Sequence, residues 1–386
     1  MVLGSDVLLD RDLLGGRTIG LVCNPASINA RFEHVVDRAE ASGVRVGAIF
    51  GPQHGFRSDL QENMIESAHD EDRRRAIPIY SLYSETRQPT AEMLTGLDAL
   101  VIDLQDVGTR IYTYIYTMAN CLRAAREHGL PVIVCDRPNP IGGIAVEGPM
   151  LEPGFESFVG QFPIPMRHGM TIGELAGLFN DHFGIGAKLE VVRMTGWRRG
   201  TFFDETGLPW VLPSPNIPTL DSAIVYPGTV LFEGTNVSEG RGTTRPFELV
   251  GAPWIDPEPF ARRLNSLELP GVCFRPALFE PTFHKHAGTS CGGCQIHVTD
   301  RNSFRPVEAG VALLEAFRAM GPHQFAWREP PYEYEYRLAP IDILCGSSGV
   351  RERLEAGEDA RTIAAGWRGA VEAFETIRSR FLLYPD

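Results

Sequence analysis

The chain has 386 residues, 43% of them hydrophobic and 22% charged, which suits two globular domains with ample core. Its 36 basic and 49 acidic residues leave a net charge of −13, which argues against nucleic acid or an anionic membrane as partner, since both call for a basic face. Seven scattered cysteines (23, 121, 135, 273, 291, 294 and 345) suit thiols in a reducing compartment better than a disulfide framework.

In chain order, the first residues carry Asp6, Asp10 and Asp12 and lack the basic start and apolar core of a signal peptide. No later window approaches the ~20 apolar residues of a membrane helix, so a cytoplasmic protein is expected, its oligomeric state open. Residues 18–23 are a short apolar run ending at Asn24-Pro25, and helical spacing follows over 31–42. Residues 44–50 form a second run, ending in Gly51-Pro52-Gln53-His54-Gly55. Residues 77–83 form a third, followed by Ser84-Glu85-Thr86-Arg87, Pro89 and a short helix over 90–97. Residues 100–104 form a fourth. From Gly108 the period turns helical, with Ile111, Ile115, Met118, Leu122 and Ala125 on one face, until Gly129 and Pro131 stop it. Residues 132–135 form a fifth run, ending in Asp136-Arg137-Pro138-Asn139-Pro140.

Strands alternating with helices predict a parallel, mostly buried, Rossmann-like α/β sheet. In such a sheet the five polar segments that follow the runs share one edge, where open α/β folds place their chemistry. The stretch 100–117 stands out, because Asp103 and Asp106 sit at the strand exit with Gln105, Arg110 and Tyr112 close behind.

Residues 142–170 read as irregular. A helix over 171–183 has Thr171 as cap and Glu174 as its capping-box partner. A strand spans 188–194. Residues 196–230, with Trp197, Trp210 and many prolines, read as an ordered loop leading out of the first domain. A Gly-rich stretch (231–248) follows, holding Glu233, Glu239, Arg241 and Arg245. A helix at about 257–267, strands at 272–277 and 294–299, and helices at 306–320 and about 361–381 complete a second, smaller α/β domain. The expected division is 1–222 and 223–386, with a cleft between.

No G-x-G-x-x-G follows the first strand, and neither a P-loop nor a G-x-S-x-G elbow is present, so no nucleotide cofactor is expected. Cys291-x-x-Cys294 lies near His284, His286 and His297, but its alternating pattern separates side chains onto two faces, so no metal is expected either. The remaining chemistry suits a sugar: candidate acids (Glu85, Asp103, Asp106, Glu233, Glu239) and aromatics (Tyr83, Tyr112, Trp197, Trp210, Tyr226).

The segments GPQHGFRSD (51–59), SLYSETRQPT (81–90), VIDLQDVGTRIYTYIYTM (101–118), DRPNPIGG (136–143), VEGPML (146–151), FPIPMRHGMTIGELA (162–176), PSPNIPTLD (213–221) and YPGTVLFEGTNVSEGRGTTRPFE (226–248) together resemble the exo-β-N-acetylmuramidase (NamZ-like) family. The resemblance runs from about Val22 to the C-terminus. It implies a Rossmann-like domain, a smaller C-terminal domain and a cleft in which terminal β-1,4-linked N-acetylmuramic acid is cleaved from peptidoglycan fragments, a small-molecule sugar substrate. One departure stands out. Many members carry Glu where this chain has Gln53, and an amide has no titratable proton. Either another acid serves (Glu85, or Glu62 or Glu66 from the loop after Gln53), or the sugar differs, or the protein binds without cleaving.

On this resemblance Glu239 and Glu85 lead as proton donor. Asp103 or Asp106 would orient a water or steady the substrate's 2-acetamido group. Arg110, Arg241 or Arg57 would meet the lactyl carboxylate. Gln53, His54, Tyr112, Asn139, Asn216 and Asn236 would bind the sugar. The rival readings are a hydrolase or lyase for another amino sugar, and a non-catalytic muramyl-sugar binding protein.

Overall fold

The structure, a computed structural model, describes residues 1–61 and 64–386. The first part of the chain runs α1 (Gly4–Asp10), β1 (Thr18–Cys23), α2 (Val35–Ala41), β2 (Arg45–Gly51), β3 (Asp70–Asp72), β4 (Ile77–Ser81), β5 (Ala99–Asp103), α3 (Tyr114–His128) and β6 (Pro131–Cys135). A two-stranded sheet of β7 (Glu147–Met150) and β8 (Pro165–Arg167), then α4 (Ile172–Gly177) and β9 (Lys188–Val192), complete it. The central sheet has seven strands in the order β3-β4-β2-β1-β5-β6-β9. It is parallel except at the edge pair β3–β4.

The period-2 alternation of the apolar runs explains why both faces are covered. Ile19, Leu21, Val101 and Ile133 point to one side, packing with Leu8 of α1 and Val36 of α2. Val22, Leu100, Ile102, Val132 and Val134 point to the other, against Ile115 and Leu122 of α3 and Leu175 of α4. Thr171 and Glu174 form the expected capping box at the start of α4.

The second part runs α5 (Leu220–Thr229), β10 (Leu249–Ala252), α6 (Pro257–Asn265), β11 (Val272–Phe279), β12 (Cys291–Val298), α7 (Pro306–Met320), α8 (Pro340–Cys345), α9 (Gly349–Glu355), α10 (Ala360–Ala365) and α11 (Arg368–Arg378). Its sheet is antiparallel, in the order β10-β12-β11. Helices α5 and α7 meet at glycines. A Cβ on Gly228 would lie 1.9 Å from the Pro306 carbonyl oxygen, and one on Gly310 2.4 Å from that of Gly228, so neither tolerates a side chain. One apolar cluster includes Leu100 of the first sheet and both Phe260 and Phe317 of the second part, so the two parts share a core.

Five sequence expectations are corrected. Residues 142–170 are not all irregular, since β7 and β8 pair within them. Residues 90–97 form turns, not a helix. The helix expected from Gly108 begins only at Tyr114, because β8 captures the preceding loop: Thr109 bridges Arg167, and Arg110 N–H donates to the Met166 carbonyl. Residues 196–230 are not all loop, since Thr219 caps α5 by accepting from Ser222 N–H. The long last helix is two, with Gly366 and Trp367 between α10 and α11. Beyond α11 the chain returns to the first domain. Tyr384 Oη donates to Asp136 Oδ2 at 2.6 Å, and Arg199 N–H donates to the Pro385 carbonyl.

Candidate active site

The exits of β2 and β5, the linker 214–217 and the second domain close around one small cavity. Its walls include Gln53, His54, Tyr112, Asn216, Tyr226, Glu233, Arg241, Tyr332 and Glu333. The free volume is about 30 Å³, room for roughly two waters.

Glu333 is 3% exposed. Tyr83 Oη, just past β4, donates to its Oε2 at 2.9 Å, and Gln53 Nε2 reaches its Oε1 at 3.4 Å. Thr113 Oγ1 donates to Gln53 Oε1 at 2.7 Å, which fixes the amide with its NH2 toward Glu333. Burial pushes the Glu333 carboxyl up to about 7; the nearby Glu233 charge pushes the same way, while the bonds from Tyr83 and Gln53 oppose it. A carboxyl with that pKa still carries its proton near neutral pH, the state a general acid needs.

Glu233 faces the same cavity from the turn after α5. Arg241 Nη2 donates to its Oε1 at 2.6 Å, and Tyr332 Oη to its Oε2 at 2.6 Å. Gly240 and Gly242, at φ of +78° and +80°, flank Arg241 in a tight turn that brings the guanidinium to the cavity. The aromatic wall is interlocked. Tyr226 stands edge-on to Phe247 (centroids 4.8 Å apart) and to Tyr112 (6.2 Å). His54 Nδ1 lies 2.6 Å from the Leu60 carbonyl, which only accepts, so Nδ1 carries the proton and Nε2 is left as an acceptor. Burial pulls the His54 imidazole down to about 4, leaving it neutral.

Glu239 lies behind this wall and does not line the cavity. Lys285 Nζ donates to its Oε2 at 2.7 Å, and Arg241 Nε and His284 Nδ1 lie 3.2 and 3.3 Å from its Oε1. Lys285 first, then the His284 contact and the Arg241 charge, outweigh burial and hold its carboxyl well below the usual range, so it is ionised rather than armed with a proton. Lys285 also donates to the carbonyls of Phe232 and Val237, so the network braces the turn that carries Glu233.

The other expected residues divide. Gln53, His54, Tyr112, Asn216 and Arg241 meet at the cavity. Asp103 instead takes a bidentate pair of bonds from Arg137, at 2.6 and 2.9 Å, fully buried under the strand exits. Asp106 accepts from Gly108 N–H and lies 3.3 Å from His168. Arg110 is spent on the carbonyls of Pro149, Ile164 and Leu344, pinning the two domains together. Arg57 is exposed and pairs with Asp70. Asn139 bonds Met170 and Ile141, and Asn236 bonds Gln324 and Ala326, both as backbone ties. Glu85 is exposed on a neighbouring cavity, with Glu66 also on its rim. Glu62 lies outside the described residues. Of the expected aromatics, Trp197 packs on Tyr384 and Trp210 on Phe203, away from the site.

Sequence reasoning missed Glu333 and Tyr332. Their segment, PPYEYEYR (330–337), alternates acids with aromatics after two prolines, a pattern that could have flagged them.

Two glutamates in different electrostatic settings, in an aromatic-walled pocket, are the kind of arrangement that glycoside hydrolases use. The chain belongs to the exo-β-N-acetylmuramidase NamZ family: the model of the family's N-terminal domain matches residues 19–221 and that of its C-terminal domain residues 224–384. It is 48% identical, over 99% of its length and 91% of the relative's, to the peptidoglycan β-N-acetylmuramidase NamZ of Bacillus subtilis (strain 168). Crystal structures of two DUF1343 family proteins from Bacteroides fragilis are similar as well. One superposes with a TM-score of 0.90 at 35% identity, covering 99% of this chain and 98% of that one. The other has a TM-score of 0.77 at 28% identity, covering 100% and 99%.

Proposed function

We propose that this protein is an exo-acting glycoside hydrolase that releases β-1,4-linked N-acetylmuramic acid from the non-reducing end of peptidoglycan fragments. The observation that carries the reading is the Glu333 carboxyl, held near neutrality on the wall of a cavity that an ion-paired Glu233 also lines. Glu333 gives its proton to the glycosidic oxygen as the bond to the anomeric carbon breaks. Water adds to that carbon and passes a proton to Glu233, which releases it to solvent, and Glu333 recovers its own from solvent. Arg241 is the one of the three expected cations on this wall, and it is assigned to the lactyl carboxylate. His54 Nε2 and Asn216 are assigned to sugar hydroxyls. Residues 1–222 are read as the Rossmann-like half of the cleft and 223–386 as the other. Asp103, Asp106, Arg110, Asn139 and Asn236 are read as framework.

An exo-enzyme that frees a single sugar suits reuse of wall fragments. A cytoplasmic location is part of the proposal, supported by seven unpaired cysteines, six of them buried. No helix among the described residues is long and apolar enough to cross a membrane.

The test is a panel of p-nitrophenyl β-glycosides and disaccharides, with and without the lactyl group. Free N-acetylmuramic acid from the muramyl members alone is expected. Equal turnover of N-acetylglucosaminides, or binding without turnover, would overturn the reading.

A further inference from the structure

Three of the segments that stand out in the sequence, 136–143, 146–151 and 162–176, place no side chain on the inner cavity. They contribute Ile141, Val146 and Arg167 to the wall of a separate cavity of about 450 Å³. In a chain of net charge −13, that wall holds four arginines and one carboxylate, the exposed Glu375. Two of the arginines are taken, Arg199 by Glu174 and Arg301 by Asp204. The other two, Arg167 and Arg305, have no carboxylate within ion-pair distance among the described residues. Arg167 is 4% exposed; its Nη2 donates to the Ile141 carbonyl at 2.6 Å, and its Nε has no hydrogen-bond partner. Glu147, its cross-strand neighbour, spends Oε1 on the Glu308 N–H and leaves Oε2 unpartnered. Arg305 spends Nη1 on the carbonyls of Asn302, Ser303 and Phe304. Burial pulls the Arg167 guanidinium down to about 10; Glu147 opposes this, and the Arg305 charge adds to it. Ile144, 58% exposed, also lines the wall.

We infer that this cavity binds a phosphoryl dianion, either free phosphate or the monoester of a small neutral molecule. A guanidinium fork matches phosphate oxygens in pairs, and two forks without ion-paired carboxylates suit a doubly charged group. The cavity is larger than phosphate alone fills, and Ile141 and Ile144 give the rest of its wall an apolar surface for the body of an ester. Arg167 lies on β8 of the first domain and Arg305 directly precedes α7 of the second. A ligand held by both ties the domains together and raises the stability of the whole chain. None of these groups lines the inner cavity, so the inference stands apart from the muramidase reading.

The test is calorimetric titration of the full-length protein with inorganic phosphate, glucose 6-phosphate and glucose, with Tm followed in parallel. Saturable binding of a phosphate compound, with a rise in Tm, and none of glucose is expected. Tighter binding of the ester identifies a monoester site, and equal binding a site for free phosphate; both support the inference. Arg305→Gln removes one fork, and Ile144→Asp sets a carboxylate on an exposed position of the wall without touching the core. Each is expected to weaken binding about tenfold. Arg57→Gln, at an exposed arginine away from this wall, is expected to leave it unchanged. Should Arg305→Gln fail to fold, Ile144→Asp decides alone. No saturable binding of either phosphate compound, affinity that Ile144→Asp leaves intact, or an equal loss in Arg57→Gln would overturn the site.

Discussion

Replacing Tyr83 with Phe removes one hydroxyl and changes the acid–base balance of the cavity in a calculable direction. Tyr83 Oη donates to Glu333 Oε2 at 2.9 Å, a bond that favours the ionised carboxylate. A hydrogen bond to a charged group contributes about 1.5–3 kcal/mol, and 1.36 kcal/mol is one pKa unit, so Tyr83→Phe should raise the Glu333 pKa by about 1–2 units. A general acid works only while protonated, so activity is present below its pKa and lost as pH rises through it. The alkaline limb of kcat/KM for a muramyl disaccharide is expected near pH 7 in the wild type, where the Glu333 carboxyl sits. In the variant it should move to about pH 8–9. The assay is a pH–rate profile of both proteins from pH 4 to 10. A limb that stays in place, or moves to lower pH, would refute the assignment of Glu333.

Glu239→Gln leaves Lys285 and Arg241 short of a buried counter-charge, and should cost about 3–5 kcal/mol of stability, read as a lower Tm. The protein that stays folded in the cold should keep measurable turnover, which loss of the proton donor would not permit. Asp103→Asn breaks the bidentate bond to Arg137 and should destabilise to a similar extent, with activity per folded molecule retained. Burial holds the Glu147 carboxyl at about 7, above its ordinary 4.5, while Glu308 N–H donates to its Oε1. That stabilising contribution is fully present below pH 4.5 and is lost as pH rises through 7, about 3 kcal/mol in all. Glu147→Gln keeps an acceptor for Glu308 and should flatten the fall in Tm between pH 5 and 8, measured by thermal melts of both proteins.

The first domain was legible because its strands are short apolar runs, each closed by a polar segment, and a parallel sheet puts those segments on one edge. The roles of the acids were not, since each depends on partners far away in the chain. Asp103 reads like a catalytic carboxylate until Arg137, from the next strand exit, is seen to hold both its oxygens. Glu239 sits in a Gly-rich loop that reads as a site, yet Lys285 comes from beyond β11 to pair with it, with His284 beside it. Glu333 is separated by 250 residues from the tyrosine that tunes it, and its own segment carries no glycosidase signature. Gln53 looked like a lost acid; its amide instead lies between Thr113 and Glu333, where a second carboxylate would repel the first. The cavity that reunites these residues needs the two domains packed together, which Arg110 secures through carbonyls from three separate segments.

The most direct measurement sets Glu333→Gln against two leaving groups, since Gln keeps the shape and an acceptor for Tyr83 but has no proton to give. On the muramyl disaccharide, whose sugar cannot depart without protonation, kcat is predicted to fall about 10²–10⁴-fold. On dinitrophenyl β-muramide, whose leaving group departs unprotonated, it is predicted to stay within about tenfold of the wild type. Equal losses on both substrates, or a disaccharide rate left intact, would contradict Glu333 as the proton donor.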